Sequence, residues 1–133
     1  MATLPQETIR PVNPETDSRP ALRTLFRIAK AWGLGNQQQM TLLGRPPRST
    51  FYRWRQGENV VLSRDTLERI SYIFGIYSAL QVLLPDPRAA DAWIRKPNAA
   101  PVFGGGSALD RMLSGRVGDL YLVRQYLDAQ RGG

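Results

Sequence analysis

The sequence predicts an all-α chain organised as two helical halves, and three observations predict it. Apolar residues recur at i, i+3, i+4 and i+7 in successive segments. Gly- and Pro-containing stretches cut these segments short, and Ser, Asn or Thr stands where several of them begin. No run of β-branched or aromatic residues is long enough for a convincing strand, and no internal repeat is visible.

Residues 1–20 carry Pro5, Pro11, Pro14 and Pro20 and few large apolar groups. Proline fixes φ and removes a donor, so a flexible Pro-rich arm is expected there. Glu7, Glu15 and Asp17 offset Arg10 and Arg19, so the arm is not a basic tail. From Ala21 the period becomes helical: Leu22, Leu25, Phe26, Ala29 and Trp32 share a face, with Arg23, Arg27 and Lys30 turned elsewhere. Gly33 and Gly35 end this helix. Asn36 is placed to cap a second one over residues 37–43, with Met40 and Leu43 inward. Gly44-Arg45-Pro46-Pro47 forces a turn. Ser49 or Thr50 is placed to cap a third helix running to Gln56, whose Phe51 and Trp54 face inward, and Gly57 ends it.

After an extended link, Val60-Val61-Leu62, Ser63 caps a longer helix with Asp65 in its first turn, where the helix dipole favours an acid. Leu67, Ile70, Phe74, Tyr77, Leu80 and Leu84 make one apolar face, but Tyr72, Ile73, Ile76, Val82 and Leu83 make another. This segment is either wrapped on several sides or bent at Gly75 into two helices. Pro85-Asp86-Pro87 stops it, and a short helix with Ala89, Ala92 and Trp93 follows. Residues 97–106 read as an irregular loop. Trp93 and Phe103 are assigned to the core, because an isolated aromatic beside a turn pins that turn. Gly104, Gly105 and Gly106 precede no Walker-type Gly-Lys-Ser/Thr, so turn geometry explains them better than a phosphate cradle. Ser107 caps a helix over residues 108–113, with Asp110 completing a short capping box, and Gly115 closes it. The last helix, about 117–130, lines Val117, Leu120, Val123 and Leu127 along one side and Tyr121, Leu122, Tyr126 and Ala129 along a flank. That is more apolar surface than a thin outer helix needs, which implies either deep docking or a protein partner.

Composition narrows the chemistry. With no Cys and no His among 133 residues, disulfides, thiolate nucleophiles, zinc fingers and imidazole bases are excluded. Asp110 has a capping role and Asp91, Asp119 and Asp128 sit on helices without visible charge-tuning partners, so no catalytic residue, metal or cofactor is expected. Lys plus Arg is 18 against 11 acids, a net charge of +7, and only Lys30 and Lys96 are lysines. Such a surplus favours polyanions through counterion release, and arginine suits phosphate and guanine. No run approaches the ~18 apolar residues of a membrane span, and Met1-Ala2-Thr3-Leu4-Pro5 has no export character, so a cytoplasmic protein that spans no membrane is expected.

Residues 36–57 have the organisation of a helix-turn-helix, and residues 45–56 hold four arginines and no acid. Arg45, Arg48, Ser49, Thr50, Tyr52, Arg53 and Arg55 are the candidate DNA-binding residues, since an inward Phe51–Trp54 pair leaves that set free to meet bases and phosphates. The run Ser49-Thr50-Phe51-Tyr52-Arg53-Trp54 resembles the recognition helix of Xre-like regulators, although the turn after Gly44 is a residue longer and holds two prolines. The second half is more specific. Trp93, Pro97-Asn98, Phe103-Gly104, Ser107-Ala108-Leu109-Asp110, Gly115 and the ending Val123 to Gly133 resemble the toxin-binding domain of the Xre/MbcA/ParS antitoxins. Ala108 stands where members often carry proline, which would favour the first turn of that helix.

The resemblance implies a type II antitoxin in three parts: an arm over 1–20, an Xre-like helix-turn-helix over 21–62 and a helical toxin-binding domain over 63–133. Its implied partner is a RES-domain toxin that consumes NAD or transfers ADP-ribose, with the C-terminal region covering the toxin's active site. The front half is implied to bind operator DNA and repress the operon, as a homodimer matching palindromic half-sites. Tyr121, Arg124, Tyr126, Leu127, Arg131, Gly132 and Gly133 are the candidate toxin-binding residues. Loss of residues 117–133 is expected to free the toxin while leaving the front half folded. The competing reading is a stand-alone helix-turn-helix regulator whose C-terminal half serves dimerisation.

Overall fold

A computed structural model describes residues 12–132. Among them the structure is helical: α1 (Pro14–Ala31), α2 (Asn36–Leu42), α3 (Arg48–Arg55), α4 (Arg64–Leu83), α5 (Pro87–Ala92), α6 (Ala108–Met112) and α7 (Val117–Gln130), with single 3-10 turns at Trp93–Arg95 and Pro101–Phe103. Two antiparallel bridging residues, Pro97 and Ser107, close the loop between α5 and α6.

The flexible arm is corrected for residues 14–20, which form the first turns of α1; residues 1–11 lie outside the described residues. The prolines mislead here, because proline is favoured at the first helical position, and Pro14 occupies it behind an Asn13 cap. Asn13 Oδ1 accepts from the Glu15 amide, and Asp17 accepts from the Asn13 amide at 2.8 Å. The buried Ser18 hydroxyl then accepts from the Leu62 amide at 2.8 Å, fixing this end of α1 to the link before α4.

The helix heads are only partly as expected. Ser63 caps α4, and Ser107 with Asp110 forms the capping box of α6. Asn36 is instead the first residue of α2, capped by Gly35, whose amide donates to Gln38. Leu43 is buried and Met40 packs half-buried against the core, as the spacing predicts, and Gln39 and Leu42 are buried beside them. Likewise α3 starts at Arg48 behind Pro47, so Ser49 and Thr50 lie inside the helix and cap nothing. The long turn between them is built by Gly44 at φ 91° and Arg45 at φ 59°. A proline next in sequence disfavours the right-handed helical region for Arg45, and two successive left-handed residues reverse the chain.

Helix α4 is the axis of the molecule. It is continuous through Gly75 and buries Leu67, Ile70, Ile73, Ile76, Ala79 and Leu80, with α1 packed along one side and α7 along another. Phe74 points away from this core and is 51% exposed, against expectation. α7 contributes Leu120, Val123 and Leu127 to the same core, each at most 1% exposed. One contiguous core therefore runs through both halves. Because α7 packs along α4, residues 117–133 and the front half share this core.

Candidate nucleic-acid and partner interfaces

Phe51 and Trp54 are buried as the spacing predicts, and they seat α3 against α1, with Phe26 edge-on to Phe51 at 6.1 Å. Arg19 of α1 donates to the carbonyls of Trp54 (2.9 Å) and Glu58 (2.8 Å) at the C-terminal end of α3. A cation there meets the carbonyls of the last helical turn and the negative end of the helix dipole.

The outward face of α3 is braced by α2. Asn36 donates to the Tyr52 hydroxyl at 3.2 Å and accepts from Arg55 at 2.9 Å; Arg55 also donates to Gln39 Oε1 at 3.1 Å. The Arg55 guanidinium lies over Phe26 and Phe51, 5.3 and 5.8 Å from their centroids. Arg48 sits over the Tyr52 ring at 5.6 Å. Ser49 and Arg53 are exposed and Thr50 half-exposed. Six of the seven predicted residues therefore lie on α3, two of them held by α2. Arg45 is the exception: its guanidinium packs against Gly115, between α6 and α7, apart from the α3 set. Asn36, Gln39 and Arg19 were not anticipated. The first two share an α2 face at i, i+3, a spacing that could have flagged them.

The charge is confined to this end. Residues 18–57 hold eight Arg or Lys and no acid, whereas residues 58–133 hold nine basic and eight acidic residues. The +7 of the chain is thus a property of α1 to α3.

On the other half, the predicted toxin-binding residues differ in burial. Leu127 is 1% exposed and belongs to the core, so its place in that set is corrected: the face it shares with Leu120 and Val123 is consumed by α4. Tyr126 is half-buried, stacked on Trp93 at 6.3 Å and edge-on to Phe103 at 5.1 Å; this triad fastens the loop before α6 onto α7. Trp93 is likewise half-buried, whereas Phe103 is core. Tyr121 and Leu122 remain exposed at 44% and 36%. Tyr121 rests on Tyr72 of α4 at 5.5 Å, and Tyr72 donates to Glu68 at 2.8 Å, a bond that holds its proton above the usual phenol range.

Arg124 lies across α4 at Gly75, where an added Cβ would stand 2.5 Å from the guanidinium, and pairs with Asp128 at 3.5 Å. Arg131 and Gly132 are exposed at the end of α7, and Gly133 is outside the described residues. The tight turn before α7 is built around Asp119, a buried carboxylate that accepts from Ser114 (2.6 Å) and pairs with Arg111 (2.9 Å) and Arg116 (3.1 Å). The Ser114 hydrogen bond and the two guanidinium groups outweigh desolvation and hold it below the usual carboxylate range. No group of acids able to hold a metal ion occurs among the described residues, and no helix there is long and apolar enough to cross a membrane.

Two family models match consecutive parts of the chain: the antitoxin Xre-like helix-turn-helix domain over residues 11–75, and the antitoxin Xre/MbcA/ParS C-terminal toxin-binding domain over residues 79–133. The chain belongs to the Xre/MbcA/ParS antitoxin family. The chain is also 51% identical over 130 residues to the uncharacterized protein y4oB of Sinorhizobium fredii (strain NBRC 101917 / NGR234), covering 96% of this chain and 98% of that one. The two matched parts of this Xre-family antitoxin meet inside α4, the helix whose sides serve both halves.

Proposed function

We infer that this antitoxin neutralises a RES-domain toxin, one that consumes NAD or transfers ADP-ribose, by laying its C-terminal region over the toxin's active site. It acts in the cytoplasm and binds its operator as a homodimer to repress its own operon. Residues 21–62 serve the operator and 63–133 the toxin. The observation that carries the reading is the unequal burial of α7: one side is spent on α4, while Tyr121 and Leu122 stay outward beside Arg124 and Arg131. Aromatic and arginine side chains of this kind dominate interface energies. The segregated positive charge of α1 to α3 supports the operator role.

Co-expression with the adjacent reading frame tests the whole reading. Growth arrest by that frame alone, NAD depletion or ADP-ribosylation during arrest, and rescue by this chain are expected. A neighbour without toxicity, with normal growth when this gene is deleted, would make the chain a stand-alone regulator instead.

A further inference from the structure

A groove of about 460 Å3 between α1 and the end of α3 is lined by Arg19, Arg23, Phe26, Arg27, Lys30 and Arg55. We propose that the α1 stripe Arg23, Arg27 and Lys30 binds the phosphate backbone of duplex DNA beside the stretch that α3 reads. The inference rests on the DNA-binding reading and extends it to a second element. Arg19, Arg23, Arg27 and Lys30 succeed one another at i, i+4, i+8 and i+11, so they form one stripe, about 16 Å long at 1.5 Å per residue.

A face needed only for solubility would interleave acids. Like charges at i, i+4 destabilise a helix, and α1 carries them in succession with no acid after Asp17. A row of anions removes that repulsion, and the DNA backbone is such a row. The members also differ in engagement. Arg19 is committed to the α3 carbonyls and Arg55 to Asn36 and Gln39, whereas Arg23, Arg27 and Lys30 are exposed. Arg19 thus joins stripe and reading helix into one rigid surface, so phosphates held by α1 fix the register of α3.

The test measures binding of the full chain to a random-sequence DNA duplex across a salt series. Each neutralised phosphate contributes about 0.9 to the slope of log affinity against log salt. Replacing Arg23, Arg27 and Lys30 together by Gln should therefore lower the slope by about 2.7. Replacing Arg64, Arg88 and Lys96 by Gln removes the same charge from the other half and should leave the slope unaltered. Circular dichroism and growth rescue confirm that the variants fold. Equal slopes for wild type and the α1 variant, or equal flattening in both variants, overturns the stripe while leaving α3's role standing. A wild-type chain without salt-dependent duplex binding overturns the stripe and the DNA reading together. Flattening seen with single-stranded RNA but not with the duplex also overturns it.

Discussion

Asp119 shows how one side chain sets a turn. Its carboxylate gathers Ser114, Arg111 and Arg116 at the point where α6 gives way to α7. Replacing it with Asn keeps the size and removes the charge, and should cost about 1–3 kcal/mol in chemical denaturation at neutral pH. The pH dependence has a definite sign. Because the folded-state pKa is depressed, this contribution is fully present above the ordinary carboxylate range and is lost as pH falls through that range towards the depressed value. The Asn variant should lack this component of acid destabilisation, so the stability difference between the two proteins should narrow on acidification. Tyr126 needs a different probe. Its ring belongs to the Trp93–Phe103 triad, so Tyr126→Ala should lower stability by about 2–3 kcal/mol and confound any binding assay. Tyr126→Phe retains the ring. If the hydroxyl serves the toxin, Phe should melt like wild type yet bind the toxin less tightly; equal binding would restrict Tyr126 to a packing role.

At the scale of elements, Gly75 and Arg124 record how α4 and α7 cross. An alanine methyl at Gly75 meets the flexible end of Arg124, not backbone, so the guanidinium can swing aside. Alanine also gains up to about 1 kcal/mol of helix propensity. Gly75→Ala should therefore match or exceed the wild-type melting temperature while displacing Arg124, and weakened toxin binding in that variant would place Arg124 in the interface. Arg53 on α3 and Tyr121 on α7 are exposed on separate halves. Arg53→Ala should weaken operator binding without loss of growth rescue, and Tyr121→Ala should do the opposite; joint loss in either variant would refute the division of labour. Element positions were legible because caps and breakers are local: Ser63, Ser107 with Asp110, and the glycines did what their chemistry dictates. Where the reading failed, a neighbour had decided. Pro14 opens a helix that Ser18 ties to Leu62, and Phe74 faces outward because α1 and α7 cover the other sides of α4.

For the molecule as a whole, the shared helix joins the two halves in one core. Deleting residues 117–133 would uncover the apolar surface of α4 that α7 packs along. The truncated chain should lose its cooperative thermal transition instead of retaining a folded front half, and a preserved transition in circular dichroism would count against a single core. Four arginines carry connections between distant segments: Arg19 to the end of α3, Arg95 to the carbonyls of Trp32 and Gly33, Arg69 to the carbonyl of Gly115 and Arg124 to the carbonyl of Ser71. In the sequence each reads as one more basic residue; in the fold each satisfies backbone acceptors of another element.

The sequence by itself determined the all-α class, the order of the helices, the inward Phe51–Trp54 pair and the concentration of charge ahead of residue 58. These follow from periodicity, capping chemistry and counting, which act over a few residues. Only the tertiary structure decided which of two apolar faces α4 and α7 would bury, which arginines would hold the fold and which would stay exposed. Burial and pairing depend on what arrives from tens of residues away, and a side chain carries the same label in either case.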